Sequence, residues 1–290
     1  MDHQPVLASG AASGSETAAV AREDALAAWL RAAGRVAIGF SGGVDSAYRA
    51  VVARRTLGAD NVLAIIGRSA SYPAEQWATA RGVAESFGIE VLELDTDELN
   101  DPRYAANPSN RCYFCKTELW SKLVPRAHAR EFHVIVDGTN SDDLSDYRPG
   151  AQAAREHAVA SPLADLGFTK AEIRMRSCVL GIPTWSQPSS PCLSSRLPYG
   201  TTVTPARLGQ VEQAERALRA LGIVDDLRVR YHDDLARVEL SQASLAEWIQ
   251  PSRFAELRHA VLQAGFARVA LDLRGFRSGS LNVLHGVTAA

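Results

Sequence analysis

The sequence predicts an α/β fold in which an open parallel sheet is followed by a smaller α+β domain. Short apolar runs alternate with helical patterns over the first two thirds of the chain, which is typical of βαβ units. The first apolar run ends in a Ser-Gly-Gly turn directly before a helix. A Pro/Ser-rich connector at 183–191 precedes a helix–strand–strand–helix–strand order, which indicates a compact sheet with helices on one face. We therefore expect a disordered tail at 1–18, a first domain at 19–186 and a second domain at 187–290.

The individual elements follow from apolar periodicity and from helix start and stop signals. A capping box of Thr169 and Glu172 opens the last helix of the first domain. Pro125 is expected to kink the helix predicted at 111–129. The predicted strands cover 36–40, 62–66, 90–94, 133–136, 227–231, 236–240 and 268–273. The predicted helices cover 16–33, 45–55, 73–87, 111–129, 169–180, 205–221 and 251–264.

Composition limits the classes of function. The 290 residues are enough for two domains, and contents of 46% hydrophobic and 22% charged residues are those of a soluble globular protein. The net charge of -2 argues against wholesale binding of nucleic acid. No apolar run is long enough to cross a membrane, and the N-terminus lacks the pattern of a secretory signal. We therefore expect a cytoplasmic protein, in which close cysteine pairs more often serve metal or redox chemistry than disulfides.

The segment 41–46, Ser-Gly-Gly-Val-Asp-Ser, lies between the first predicted strand and its helix. Backbone N–H groups and the helix dipole make such a junction an anion site, and its two glycines let the backbone approach phosphate oxygens. The two serines add hydroxyl donors. Asp45 would repel phosphate unless a cation lay between them, which implies Mg2+. The segment is not a Walker A loop, because it lacks that spacing and its lysine.

Two further loops follow predicted strands and are expected at the same edge of the sheet. Arg68 and Ser69 follow the second strand, and an Asp/Asn-rich loop, 137–150, follows the fourth. In that loop Asp142, Asp143 and Asp146 are candidates to hold Mg2+ or to orient Arg148; the alternative is a solvated Asx-rich loop. The predicted Mg2+ ligands are Asp45 and Asp142. The predicted nucleotide-binding residues are Phe40, Ser41, Gly42, Gly43, Val44, Asp45, Ser46, Arg68, Ser69, Gly138 and Thr139.

The motif S-G-G-x-D-S resembles the pyrophosphate-binding loop (PP-loop) of adenine nucleotide α-hydrolase-like ATP pyrophosphatases. Enzymes of that superfamily cut ATP between its α and β phosphates and adenylate a substrate. From about residue 20 onward, further motifs resemble those of one branch, the LarE family, in the same order. They are N-P-x-x-R-C-x-x-C-K, G-T-N-x-D-D, S-P-L-x-x-x-G-x-T-K-x-E-I-R, C-L-S-S-R and G-F-R-S-G-S-L-N.

The resemblance implies a substrate and a reaction. LarE proteins adenylate the carboxylates of pyridinium-3,5-biscarboxylic acid mononucleotide and convert them to thiocarboxylates, which later bind nickel in a pincer cofactor. Adenylation turns a poor acyl donor into one with AMP as leaving group, which a sulfur nucleophile can attack. The resemblance also implies a homo-oligomer and a functional link to other proteins of nickel-pincer biosynthesis.

Three cysteines are candidates for the sulfur chemistry. Cys112 and Cys115 form a C-x-x-C pair, and we expect them to converge with Cys192. Three thiolates on a [4Fe-4S] cluster would leave one iron open to carry sulfide. The alternatives are a sacrificial Cys192 that becomes dehydroalanine, or a zinc site or disulfide at the pair. Cys178 is expected to be a buried structural thiol.

The remaining predicted site residues are charged or lie beside Cys192. Arg228 and Arg230 alternate along a predicted strand, so they share a face and resemble the phosphate-binding pair of the family; the alternative is a solvated strand face. Ser195 and Arg196 are expected beside the reacting centre, where Arg196 would steady the carboxylate or AMP. Lys116 is a further substrate-binding candidate. The predicted catalytic residues are Cys192, Cys112, Cys115, Asp45 and Arg196.

Two other classes of function compete with this prediction. A tRNA-thiolating enzyme of the same superfamily would need a basic surface or an added RNA-binding domain, and the composition shows no such bias. A non-catalytic nucleotide-binding or iron–sulfur scaffold protein would not need the complete loop at 41–46.

Overall fold

The fold is α/β, as predicted. The structure, a computed structural model, describes residues 11–145, 148–188 and 191–277, with the side chains of 11–13 and 145 outside that description. The strands are β1 (Val36–Gly39), β2 (Val62–Arg68), β3 (Glu90–Asp95), β4 (Val134–Val136), β5 (Leu227–His232), β6 (Leu235–Leu240) and β7 (Arg268–Leu271). The helices are α1 (Ala11–Ala33), α2 (Val44–Leu57), α3 (Ala74–Ser86), α4 (Pro102–Ala105), α5 (Arg111–His128), α6 (Pro149–Glu156), α7 (Pro162–Asp165), α8 (Lys170–Val179), α9 (Pro205–Ala220), α10 (Gln242–Trp248) and α11 (Pro251–Gln263).

The first sheet has the order β3-β2-β1-β4, and every neighbouring pair is parallel. β1 lies inside it because Val36, Ala37 and Ile38 leave no polar face. Val36 and Ile38 pack in the core beneath α1, α2, α3 and α8, whereas Ala37 packs with α5 and α6 on the other face. Helices therefore cover both faces, and all four carboxyl ends meet at one edge.

The second sheet has the order β5-β6-β7, antiparallel between β5 and β6 and parallel between β6 and β7. Its core includes apolar residues of α9 and α11. Tyr104, from the loop region of the first predicted domain, belongs to this second core, and Phe114 and Cys115 pack against it. The two parts of the chain thus share packing near the predicted cysteine site.

Several boundaries differ from those predicted. α1 begins at Ala11 rather than 16, so part of the predicted tail is helical, while residues 1–10 lie outside the described residues. Helices α6 and α10 were not predicted, nor were the single turns α4 and α7. Cys178 is exposed, which corrects the prediction of a buried thiol; the buried side chain at this turn of α8 is Ser177. In the part of the chain that is described, no helix is long and apolar enough to cross a membrane.

Candidate active site

The 41–46 loop connects β1 to α2 and has the geometry of an anion site. Gly42 has φ +68°, and a Cβ added there would lie 2.6 Å from Ala80 Cα in α3, so glycine is required. The Ser46 hydroxyl donates to the Gly43 carbonyl at 3.0 Å and accepts from the Ser41 N–H at 3.3 Å. The loop is therefore tightened from within before any ligand binds.

Two of the predicted loop residues contribute only backbone. Phe40 and Val44 are buried in the first core. The N–H of Phe40 donates to the Ile65 carbonyl at 2.8 Å, so that N–H is occupied within the sheet. Val44 opens α2, whose first turn also carries Asp45.

Asp45 lies at a meeting point of three segments. It forms an ion pair with the Lys170 Nζ, and the Asn140 Nδ2 donates to its Oδ1 at 3.3 Å. The backbone N–H of Lys170 donates to Asp142 Oδ2 at 2.8 Å. The loop after β4 and the start of α8 thus lie next to the N-terminus of α2, and they bring both predicted Mg2+ ligands to Lys170.

The loop after β4 is partly held by its own side chains. Both the N–H and the hydroxyl of Thr139 donate to Asp137, at 3.1 and 2.7 Å. A Cβ added to Gly138 would lie 3.5 Å from the N of Ser46, which shows how closely this loop approaches the 41–46 loop. Asp143 pairs with Arg148 at 2.5 Å, and burial raises the pKa of Asp143 despite this partner. Asp146 lies outside the described residues.

Arg49 is a cation beneath this site that sequence reasoning missed. It is fully buried, and its Nη2 donates to the Gly39 carbonyl at 3.1 Å. Burial lowers the pKa of Arg49 to about 10, against the opposing effect of Asp137 and Asp45, so it stays charged at neutral pH. Its charge adds positive electrostatic potential where the 41–46 loop, the loop after β4 and the start of α8 meet.

Arg68 at the end of β2 and Ser69 directly after it have different partners. Arg68 pairs with Glu93 at 2.9 Å and lies over the Trp77 ring. The Ser69 hydroxyl donates to Glu98 Oε1, a buried carboxylate in the 3-10 turn Glu98–Asn100. Glu98 was not predicted from the sequence, because it follows β3 whereas its partners Ser69 and Ser71 follow β2.

Cys112 and Cys115 lie at the start of α5, and Cys192 comes directly before the 3-10 turn Leu193–Arg196, to which Arg111 donates a hydrogen bond. Burial raises the pKa of Cys115, and the charges of Glu98 and Cys192 raise it further. The pKa of Cys112 is also raised, first by desolvation, although its residue surface is exposed; Arg111 opposes the shift and Cys192 adds to it. All four cysteines are free thiols. Among residues 11–145, 148–188 and 191–277, no three His, Cys, Asp or Glu side chains are grouped to hold a metal ion.

A buried polar cluster fixes the segment that carries Cys192. Arg111 donates to the Ser194 carbonyl at 3.0 Å and also to the Asn107 side chain. The Tyr104 and Ser194 hydroxyls are 2.6 Å apart, and Asn107 Nδ2 donates to the Pro198 carbonyl at 2.7 Å. These contacts attach the start of α5 to the segment after Cys192.

Arg196 does not face a substrate space, which corrects its predicted contact with carboxylate or AMP. It is 2% exposed, and its Nε and Nη2 donate to the two carboxylate oxygens of Glu215 at 2.9 and 3.0 Å. Its Nη1 donates to the Pro191 and Cys192 carbonyls at 2.6 and 3.1 Å. Arg196 therefore holds the backbone around Cys192.

Arg228 and Arg230 are buried, so the alternative of a solvated strand face is wrong. Arg230 pairs with Glu239 at 2.8 Å and donates to the Ser195 carbonyl at 3.0 Å. Arg228 lies over the Phe276 ring, and burial, reinforced by Arg196, lowers the pKa of Arg228 to about 10. Both side chains thus lie close to the segment after Cys192.

Comparison with known proteins assigns the chain to a family. Residues 22–117 match the family model described as NAD synthase. The chain is 37% identical over 89% of its length to the pyridinium-3,5-bisthiocarboxylic acid mononucleotide synthase of Lactiplantibacillus plantarum, covering 92% of that protein. This chain belongs to the LarE family. LarE proteins are ATP-dependent sulfurtransferases with a PP-loop domain, and this chain is one of them.

Two uncharacterised proteins are further relatives of this LarE chain. One, from Synechocystis sp., is 45% identical over 86% of the chain and 92% of its own length. The other, from Methanocaldococcus jannaschii, is 27% identical over 84% of the chain and 91% of its own length.

Two residues of the site, Lys170 and Arg111, stand inside the LarE motifs although neither was a predicted site residue. Lys170 stands in T-K-x-E, and Arg111 stands directly before C-x-x-C. Lys116, a predicted substrate residue, has its Nζ over the Trp120 ring at 5.5 Å, four residues after Cys112 on the same helix. Its contact with substrate remains a prediction.

Proposed function

We propose that this LarE protein adenylates the carboxylates of pyridinium-3,5-biscarboxylic acid mononucleotide and converts them to thiocarboxylates for a nickel-pincer cofactor. A substrate carboxylate oxygen attacks the α-phosphorus of ATP, and pyrophosphate leaves. A sulfur nucleophile then attacks the acyl carbon of the acyl adenylate, and AMP leaves with the electron pair of the C–O bond. The observation that supports the proposal most directly is the hydrogen bond from Arg111 to the Ser194 carbonyl, which brings the start of α5, with Cys112, next to the segment of Cys192 in a chain with a complete anion loop.

The nucleotide side of the reaction rests on the 41–46 loop and its neighbours. Asp45 and Asp142 would hold Mg2+, since both carboxylates lie at Lys170 and oxygen is the ligand that Mg2+ prefers. Bound Mg2+ supplies charge neutralisation between these carboxylates and the phosphates. Once Mg2+ neutralises Asp45, the Lys170 side chain can move from Asp45 to a phosphate oxygen. The buried positive charge of Arg49 adds electrostatic attraction for the phosphates.

The sulfur is proposed to come through a [4Fe-4S] cluster on Cys112, Cys115 and Cys192. Each of three thiolates would bind a different iron of such a cluster, which leaves the fourth iron open. The pKa values of the Cys112 and Cys115 thiols are raised, so a bound metal charge would be needed to favour their thiolate forms, and Arg111 and Lys116 favour the thiolate at Cys112. When bound, such a cluster supplies an iron that can carry sulfide. The alternative is Cys192 as a sacrificial donor.

The reaction is tested with anaerobically purified protein. Pyrophosphate release should require the pyridinium dicarboxylate, and Cys192→Ala should abolish thiocarboxylate formation while leaving the pyrophosphate release of the adenylation step. Cys178→Ala is the matched control, because Cys178 is an exposed thiol on α8, a different element from those that carry the other three cysteines. Pyrophosphate release driven by tRNA instead would contradict the proposal.

The sulfur source is tested separately by iron and acid-labile sulfide analysis and by the intact mass after turnover. We expect iron and sulfide in the protein and an unchanged Cys192. A dehydroalanine at position 192 would overturn the cluster and support the sacrificial route.

A further inference from the structure

The start of α3 connects the 41–46 loop to the segment that leads to Cys192. Gln76 is 5% exposed, and its Nε2 donates to the Ser41 carbonyl at 2.9 Å. The Tyr72 hydroxyl donates to the same carbonyl at 3.0 Å. On the other side, Gln187 Nε2 donates to Gln76 Oε1 at 3.3 Å. A chain of two amide side chains thus joins the loop to the connector before Cys192.

A second connection reaches the segment just after Cys192. The backbone N–H of Leu193 donates to the Ser71 carbonyl at 2.8 Å. Ser71 is itself buried, and its hydroxyl donates to Glu98 Oε1 at 2.8 Å. The short segment Ser71–Gln76, called the bridge segment below, therefore contacts the chain on both sides of Cys192.

The bridge segment cannot move independently of the 41–46 loop. The close approach of Gly42 to Ala80 places the loop directly against α3, which begins within the bridge segment. Hydrogen bonds of amide side chains are directional, and a buried amide such as that of Gln76 is costly to leave unpaired. A shift of the Ser41 carbonyl therefore carries Gln76, and with it Gln187.

We propose that the bridge segment makes nucleotide binding set the position of Cys192, with Gln76 and Gln187 as positioning residues. When phosphates enter the 41–46 loop, they fix the Ser41 carbonyl, and the two amides pass that constraint to the connector. The segment that carries Cys192, which Arg111 and Arg196 already attach to its surroundings, is then held more tightly when a nucleotide is bound. This rests on the proposed role of Cys192, but it concerns binding and order alone, with no sulfur transferred.

Hydrogen–deuterium exchange on the full-length protein as isolated tests the coupling, with Mg2+ and a non-hydrolysable ATP analogue as probe. In the wild type, the analogue should slow exchange in the loop peptide 40–47 and also, by about fivefold or more, in the peptide 191–199. In Gln187→Leu, the loop peptide should keep its protection, whereas the peptide 191–199 should lose part of its nucleotide-dependent protection, because the Leu193–Ser71 hydrogen bond remains. Gln263→Leu, an exposed change on α11, should behave as wild type.

Two results would overturn the coupling. One is a wild-type protein in which the analogue protects 40–47 and leaves 191–199 unchanged. The other is a Gln187→Leu protein that retains the full nucleotide-dependent protection at 191–199. Should Gln187→Leu fail to fold, Gln187→Glu also removes the amide donor to Gln76 and carries the same expectation. Neither substrate nor sulfur enters the experiment, so its failure is distinct from failure of the proposed reaction.

Discussion

Lys170 illustrates how one side chain determines the charge of the nucleotide site. Its Nζ neutralises Asp45 at the N-terminus of α2, and its backbone N–H holds Asp142. A lysine is a compact charge on a flexible stem, so it can exchange a carboxylate partner for a phosphate oxygen when Mg2+ arrives. Its absence would remove a positive charge next to the anion loop and leave Asp45 without this ion pair.

We therefore predict that Lys170→Met raises the KM for ATP in substrate-dependent pyrophosphate release by about 10- to 100-fold, the worth of a charged hydrogen bond. Steady-state kinetics over a range of ATP concentrations measure it. Lys122→Met is the control, because Lys122 pairs with Asp97 and Glu118 on the outer surface of α5. An unchanged KM for ATP in Lys170→Met would show that the lysine is only a partner of Asp45.

His232, at the end of β5, predicts a pH dependence of stability. Burial lowers the pKa of His232, Arg237 lowers it further, and Asp233 and Glu239 act in the opposite direction. Its Nε2 is buried without a hydrogen-bond partner. The folded state thus prefers the neutral ring, while the unfolded chain takes up a proton near pH 6.5. Stability from this residue is complete above about pH 6.5 and is lost as pH falls from there through the lower folded pKa.

His232→Gln should therefore flatten the acid side of the stability profile, by about 1.4 kcal/mol for each unit of pKa shift removed. Thermal unfolding between pH 5 and 7.5 measures the difference. His259→Gln on α11 is the control, because His259 lies on an exposed helix surface. Parallel profiles for the wild type and His232→Gln would contradict the prediction.

At the scale of residues, motifs with a local cause were predictable and long-range pairs were not. The glycines and serines of the 41–46 loop follow from what a strand-to-helix turn needs. Arg196 was assigned to the reacting centre because it stands near Cys192, but its partner Glu215 lies in α9 and no local pattern shows it. Cys178 was expected to be buried because its neighbours in the sequence are apolar. One of them, Val179, is itself 61% exposed, so apolar neighbours did not indicate burial here.

At the scale of elements, the contact between the 41–46 loop and α3 determines whether the anion site can form. α3 lies so close that glycine is the one residue that fits at position 42 without moving the helix backbone. The same closeness is what would let α3 respond to phosphate binding.

Gly42→Ala should abolish nucleotide binding while the fold persists, because its Cβ would overlap Ala80 and a positive φ is strained for alanine. Isothermal titration calorimetry with the ATP analogue measures binding, and circular dichroism checks the fold. Gly82→Ala is a matched control in α3, since nothing lies within 4 Å of the added Cβ. It should keep full affinity and gain about 0.5–1 kcal/mol of stability. Wild-type affinity in Gly42→Ala would refute the steric argument.

All seven strands were predictable because each is a short segment next to a turn that is either apolar throughout or interrupts its apolar residues with charged ones, as in β3 and β5. The long helices were predictable from their apolar periodicity. Start signals also helped: the predicted capping box of Thr169 and Glu172 is present at α8. The missed helices are short: α6 and α10 span only two turns, and their formation depends on packing against neighbours more than on their own sequence.

At the scale of the whole molecule, the cysteine site lies where the two cores meet. The predicted domain boundary at 187 was placed by composition, and it remains a prediction. Tyr104, far before that boundary, packs with Leu193 and Leu197 in the second core, and its hydroxyl meets that of Ser194. The second core therefore needs residues from the first part of the chain, which a linear search for linkers has no means to reveal.

This shared packing predicts one cooperative unfolding transition instead of two. Tyr104→Ala should lower the free energy of unfolding of the whole chain by about 3–5 kcal/mol, as expected for a fully buried aromatic side chain. Guanidinium titration followed by circular dichroism and by tryptophan fluorescence measures it, and both signals should shift together. Tyr104→Phe removes only the hydroxyl contact and should cost about 1 kcal/mol. Tyr113→Phe, which removes an exposed hydrogen bond to Glu156, should cost less than Tyr104→Phe. If Tyr104→Ala splits the transition in two, with the first phase unchanged, the two parts fold separately and the cysteine site lies between independent domains.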